Sequence, residues 1–103
     1  MKILAIEQEI AERSPADYKK VAKSEARRVW ELIQEDKIRE IYFRSDENTA
    51  VILLECEDLQ EAKKTLDSLP MVHNGLIDFE LIPLKPYPGL ARLFDNDKET
   101  GID

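Results

Sequence analysis

From Ser14 to Asp36 the chain carries one unbroken helical signal, and the rest of the sequence has to accommodate it. Ser14 is a preferred N-cap, Pro15 suits the first helical position, and Asp17 stands where the positive end of the helix dipole favours a carboxylate. Tyr18, Val21, Ala22, Ala26, Val29, Leu32 and Ile33 then recur at the spacing of a single apolar stripe. Glu25 lies inside that stripe, seven residues after Tyr18 and four before Val29. The other charged residues between Lys19 and Glu35 fall at its edge or on the far face. The polar run Gln34-Glu35-Asp36-Lys37 closes the helix without a glycine cap, so its last turn is undefined.

Strand signals flank this helix. Residues 2–10 alternate, with Ile3 and Ala5 on one face and Leu4 and Ile6 on the other, so the first half is apolar on both sides. Ile38 to Arg44 reads as a second strand, and Ser45-Asp46-Glu47-Asn48 as the turn of a hairpin. Thr49 to Glu57 is a third strand whose core, Ala50-Val51-Ile52-Leu53-Leu54, leaves neither face polar. Asp58 and Glu61 have capping-box spacing for a second helix, with Leu59, Ala62, Leu66 and Leu69 as its stripe and Pro70 as its stop. Met71 to Gly75 reads as a loop ending in the turn signal Asn74-Gly75. Leu76 to Leu84 is a fourth strand, and Pro83 near its end favours an edge position. Lys85-Pro86-Tyr87-Pro88-Gly89 excludes regular structure, Leu90 to Phe94 forms a short apolar arm, and Asp95 to Asp103 reads as a flexible tail.

The order βαββαβ is the ferredoxin-like split arrangement, an α+β fold with a four-stranded antiparallel sheet and two helices on one face. Strands one and three are central in that topology, and they are the two that read apolar on both faces. One face is then left without helices, and a second subunit is the economical cover for it. At 103 residues the expectation is one domain, residues 1–94 with 85–94 as an extended arm. A net charge of −7 argues against nucleic acid and against anionic membrane surfaces as partners. One cysteine, Cys56, excludes a disulfide framework or a thiol metal cluster and favours a reducing, cytoplasmic setting.

Several segments resemble the muconolactone isomerase family of the dimeric α+β barrel superfamily. They are Asp67-Ser68-Leu69-Pro70-Met71-Val72, Ile77-Asp78-Phe79-Glu80, Ile82-Pro83-Leu84, and Glu25-Ala26-Arg27-Arg28 with Glu31-Leu32. Val51 to Glu57 leading into Leu59-Gln60-Glu61-Ala62 is similar as well. The resemblance spans residues 15–88. It implies a cofactor-free isomerase that moves a proton within a small lactone or organic acid, assembled from dimers, with its pocket between sheet and helices. Glu25 is the position it carries over. The opening strand, the Pro-Tyr-Pro-Gly end and the segment Met71 to Gly75 depart from the family pattern.

Among candidate site residues, Glu25 reads as a general acid or base, because burial raises a carboxyl pKa toward the neutral range. Its structural alternative is an ion pair with an arginine such as Arg44. His73, the only histidine, reads as a second catalytic candidate on a loop or as a solvated turn residue. Tyr42 and Arg44 share a strand face and would orient an anionic substrate, or else form an exposed edge pair. Trp30 reads as a core or subunit-contact aromatic, and Cys56 as a small packed hydrophobe. No spacing suggests a metal site or a phosphate loop. A non-catalytic ligand-binding or assembly module, and a cofactor-free monooxygenase, remain as alternative functions on the same scaffold.

Overall fold

A computed structural model describes residues 1–10 and 14–95. The elements are β1 (Lys2–Glu9), α1 (Pro15–Gln34), β2 (Ile38–Phe43), β3 (Ala50–Glu55), α2 (Leu59–Asp67), α3 (Pro70–His73) and β4 (Ile77–Pro83), followed by a 3-10 segment, Pro88–Phe94. The four strands form one antiparallel sheet in the order β2-β3-β1-β4. The two strands apolar on both faces are therefore central, and the proline-bearing strand is an edge. Beyond Asp95, the expected tail lies outside the described residues.

Register assigns the faces. Ile3 and Ala5 stand opposite Leu54 and Ile52, and with Ile41 and Leu81 they form the helix-side face. Ile3, Ala5, Ile52 and Leu54 are almost fully buried there against Leu32 of α1 and Ala62, Leu66 and Leu69 from α2 and the residues after it. Cys56 joins this core, where burial pushes its thiol pKa up and keeps it a packing residue. The opposite face centres on Leu4, Ile6, Val51, Leu53 and Ile82, half-buried, with Glu40, Tyr42 and Glu80 around them.

Local chemistry explains the element ends. The Asp17 carboxylate accepts from the Ser14 backbone N–H at 3.1 Å and holds the first turn of α1. At the other end, Asp36 takes the left-handed conformation usually given to glycine, with φ 62°. The Lys37 N–H then reaches the Leu32 carbonyl and the Asp36 N–H that of Ile33, both at 3.0 Å, which is a Schellman closure. The Asp58 side chain accepts from the Glu61 N–H at 2.8 Å, while the Glu61 side chain accepts from the Glu57 N–H rather than from Asp58.

Three readings need correction. Pro70 not only ends α2 but starts α3, because a proline at the first helical position has no N–H to leave unsatisfied. Asn74-Gly75 is the Schellman cap of that short helix, with Gly75 at φ 72°, rather than a free loop. The arm is coiled into 3-10 turns from Pro88 onward, so Pro88 and Gly89 belong to regular structure.

Candidate active site

α1 lays a narrower face on the sheet than its apolar residues suggest. Tyr18, Val21, Glu25, Arg28, Val29 and Leu32 are buried or half-buried, while Ala22, Ala26, Trp30 and Ile33 are exposed. Glu25 thus points between α1 and the neighbouring elements, as its place in the stripe requires. Its Oε1 accepts a hydrogen bond from the Met71 N–H at 2.9 Å. That donor is in the first turn of α3, one of the amides a helix start leaves without an internal partner. Burial raises the proton affinity of Glu25, the Met71 bond works against that, and the charge of Glu7 adds to it.

Glu7 is the second member of the site, and the sequence reading passed over it. It follows Ile3 and Ala5 at strand spacing, so its side chain stands on the helix-side face of β1. The backbone ladder between β1 and β3 stops at Ile6 and Val51, and Glu7 Oε1 takes the next amide, that of Ala50, at 2.9 Å. Burial raises the Glu7 pKa, the Ala50 bond opposes this, and Glu9 reinforces it. A period of two along β1 puts Glu7 on the face of Ile3 and Ala5, but the polar Gln8 and Glu9 that follow mask it as a misplaced charge.

Neither carboxylate takes part in an ion pair among the described residues. Each has one oxygen held by a backbone N–H, and its second oxygen has no hydrogen-bond partner among the described residues. The charge of Glu7 disfavours the ionised form of Glu25, so the ionisation of Glu25 is linked to that of Glu7. Nearby, the Tyr18 hydroxyl donates to the Leu76 carbonyl at 3.4 Å, joining the start of α1 to the start of β4.

The remaining candidates are not brought to this point. His73 is exposed at the end of α3, two residues beyond Met71. Tyr42 stands opposite Val51 on the helix-free face, and its hydroxyl donates to Glu40 at 2.8 Å. Arg44 is held in the hairpin turn by Asp46 at 2.8 Å and Glu47 at 3.1 Å, not by Glu25. Trp30 is 60% exposed and is not a core residue. Arg28 is half-buried, and its Nε donates to Ser68 Oγ at 2.9 Å, which ties α1 to the end of α2. Among the described residues no group of three or more His, Cys, Asp or Glu is arranged to hold a metal ion. No described helix is long and apolar enough to cross a membrane.

Solved structures give the architecture a known counterpart. A crystal structure of muconolactone isomerase matches with a TM-score of 0.70, covering 85% of this chain and 92% of that one at 17% identity. The chain has a muconolactone isomerase-like fold. A 5-chloro-2-hydroxyhydroquinone dehydrochlorinase from Burkholderia phenoliruptrix AC1100, solved with 2,5-dihydroxybenzoquinone, matches with a TM-score of 0.57. That match covers 82% of this chain and 94% of the dehydrochlorinase at 16% identity. No family model and no curated protein matches the sequence. At these identities the muconolactone isomerase-like likeness is one of fold.

Proposed function

We propose that this chain is a cofactor-free proton-transfer protein of the muconolactone isomerase type, acting on a small lactone or related organic acid. The observation that carries the reading is Glu25, half-buried against the sheet side of α1 without a cation and beside a second such carboxylate, Glu7. Charge-free burial of this kind moves a carboxyl pKa toward the range useful for proton transfer at neutral pH. In the reaction, ionised Glu25 takes a proton from a carbon next to a carbonyl. The C–H electron pair moves into the ring as a dienolate, and Glu25 returns the proton at another carbon, so atoms and charge balance. Glu7 in its protonated form would donate a hydrogen bond to the enolate oxygen, as paired carboxyl groups divide acid and base roles. His73 is assigned the rim of the site, and Tyr42 and Arg44 the polar margin of the subunit contact.

We assign the helix-free sheet face to a second copy of the chain, because Leu4, Ile6, Val51, Leu53 and Ile82 form a contiguous apolar surface there. That surface, and the exposed arm, also favour the second reading, an assembly module without catalysis. Incubation of candidate lactones in D2O separates the two. An isomerase places deuterium at the carbons it deprotonates, and Glu25→Gln lowers that exchange about 100-fold or more. Exchange that Glu25→Gln leaves unchanged would remove Glu25 from the chemistry, and the absence of any exchange across the lactone series would leave the assembly reading.

A further inference from the structure

α3 and the residues that cap it make one closed unit. The His73 N–H reaches the Leu69 carbonyl at 2.8 Å, and the Asn74 N–H reaches that of Pro70 at 2.9 Å. The Asn74 side-chain amide donates to the same Pro70 carbonyl at 2.7 Å. Gly75 sends its N–H to the Val72 carbonyl at 3.0 Å, and the Leu76 N–H closes on that of Met71 at 2.9 Å. Bonded in this way among themselves, residues 70–76 move as a body rather than one by one. Leu69 before the unit and Ile77 after it are buried and fix its base. Its tilt toward α1 is set by what α1 offers.

α1 grips the unit at two places. Glu25 Oε1 takes the Met71 N–H at 2.9 Å, and the Tyr18 hydroxyl donates to the Leu76 carbonyl at 3.4 Å. Tyr18 and Glu25 are two helical turns apart, about 10.5 Å along one face of α1. Because the Leu76 N–H is bonded to the Met71 carbonyl, the path from Tyr18 through Leu76 and Met71 to Glu25 is continuous. A rigid body held at one point pivots about it, and a second point removes that freedom.

We infer that Tyr18 is a positioning residue for Glu25: by holding the Leu76 end of the unit, its hydroxyl keeps the Met71 N–H aimed at the Glu25 carboxylate. The role rests on the reading of Glu25 as the proton carrier. The Met71 bond opposes the rise that burial causes in the Glu25 pKa, so it favours the ionised form that takes a proton. It also fixes Oε1, which leaves the other carboxylate oxygen to receive that proton. Once protonated, the carboxyl is a weaker acceptor, and the hold at Tyr18 keeps Met71 in place until the proton is returned. The Tyr18 bond is longer than the about 2.7–2.8 Å of a strong O–H···O contact, so losing it loosens the unit without releasing it.

Tyr18→Phe removes the hydroxyl and keeps the ring, so the packing of this half-buried side chain survives. In 13C-glutamate-labelled protein the Glu25 carboxyl of this variant should titrate higher by about 0.3 pH units or more, and the Glu7 carboxyl should change less. The Met71 amide should exchange with D2O several-fold faster relative to the Ala5 amide of the central strand. Asn74→Ala, which loosens the unit from within, should move Glu25 in the same direction. A Glu25 titration unmoved by Tyr18→Phe, or an unchanged Met71 exchange rate, overturns the proposal. A hydroxyl that only stabilised the fold would lower stability and leave both as they are. Neither measurement needs a substrate, so failure of every lactone to exchange would remove the proposed chemistry without deciding the link between Tyr18 and Glu25. With a substrate that does exchange, the rise of kcat with pH should move upward in Tyr18→Phe while KM changes little, because the hydroxyl acts through Glu25. A kcat profile that keeps its place overturns the proposal as well.

Discussion

The stability of this chain should fall as pH rises above the ordinary glutamate pKa, and Glu7 and Glu25 should be the cause. Both have pKa values raised from 4.5 in the folded chain, chiefly by burial. A raised folded-state pKa means that the folded chain holds protons the unfolded chain has lost. Their contribution is therefore complete below about pH 4.5 and disappears as pH passes through the folded-state values. Each proton so held changes stability by about 1.4 kcal/mol per pH unit, and two set a ceiling of about 2.7 kcal/mol per unit. Both side chains keep some contact with solvent, so the measured slope is a fraction of that ceiling. Urea unfolding of the wild type, Glu7→Gln, Glu25→Gln and the double variant from about pH 4.5 to 8 reads it directly. Each single variant should flatten the profile, since Gln keeps the acceptor for Ala50 or Met71 without the charge. The second substitution should add less than the first, with a coupling of about 0.5 kcal/mol or more. Four parallel profiles, or strictly additive changes, would show that the carboxylates neither hold extra protons nor sense one another.

Other outcomes follow from the same packing. Leu32→Ala, at a fully buried position of α1, should cost about 2–5 kcal/mol in unfolding free energy, whereas Trp30→Ala should cost less than about 1 kcal/mol. Comparable losses would place Trp30 in the core. Asp36→Gly should raise stability by about 0.5 kcal/mol, because glycine relieves the left-handed backbone at φ 62° at some cost in unfolded-state entropy, while Asp36→Val should lower it. A gain from the valine would contradict the cap geometry. Arg28→Met should cost about 1 kcal/mol or less, since its bond to Ser68 and its pair with Glu31 lie near the surface.

Element order, the central pair of strands and Glu25 were legible because each depends on a short-range period. Alternation sets Ile3 with Ala5 and Ile52 with Leu54 on common faces, but with both faces apolar only the helices select that side for burial. Features set by tertiary choice were not legible. The apolar arc of α1 is broader than the strip the sheet covers, so Ala22, Ala26 and Ile33 read as part of the buried stripe although they are exposed, and of the two readings of Trp30 the core one fails. Pro70 serves equally as a stop or a start, and only packing selects α3. Glu7 sits on an apolar strand face, but the polar half of β1 around Gln8 and Glu9 hides the misfit. Tyr42 lies on the helix-free face of the sheet and Glu25 on the helix that covers the other face, a relation that no count along the chain supplies.

Glu25 and Glu7 are proposed as a proton-holding pair between α1 and the sheet. Carboxyl carbon NMR of 13C-glutamate-labelled protein, titrated with pH, measures this at each residue. Glu25 and Glu7 should titrate above the ordinary glutamate value, and Glu25 should move back toward it in Glu7→Gln. Titration of both within the ordinary glutamate range, unaffected by the substitution, would contradict the account.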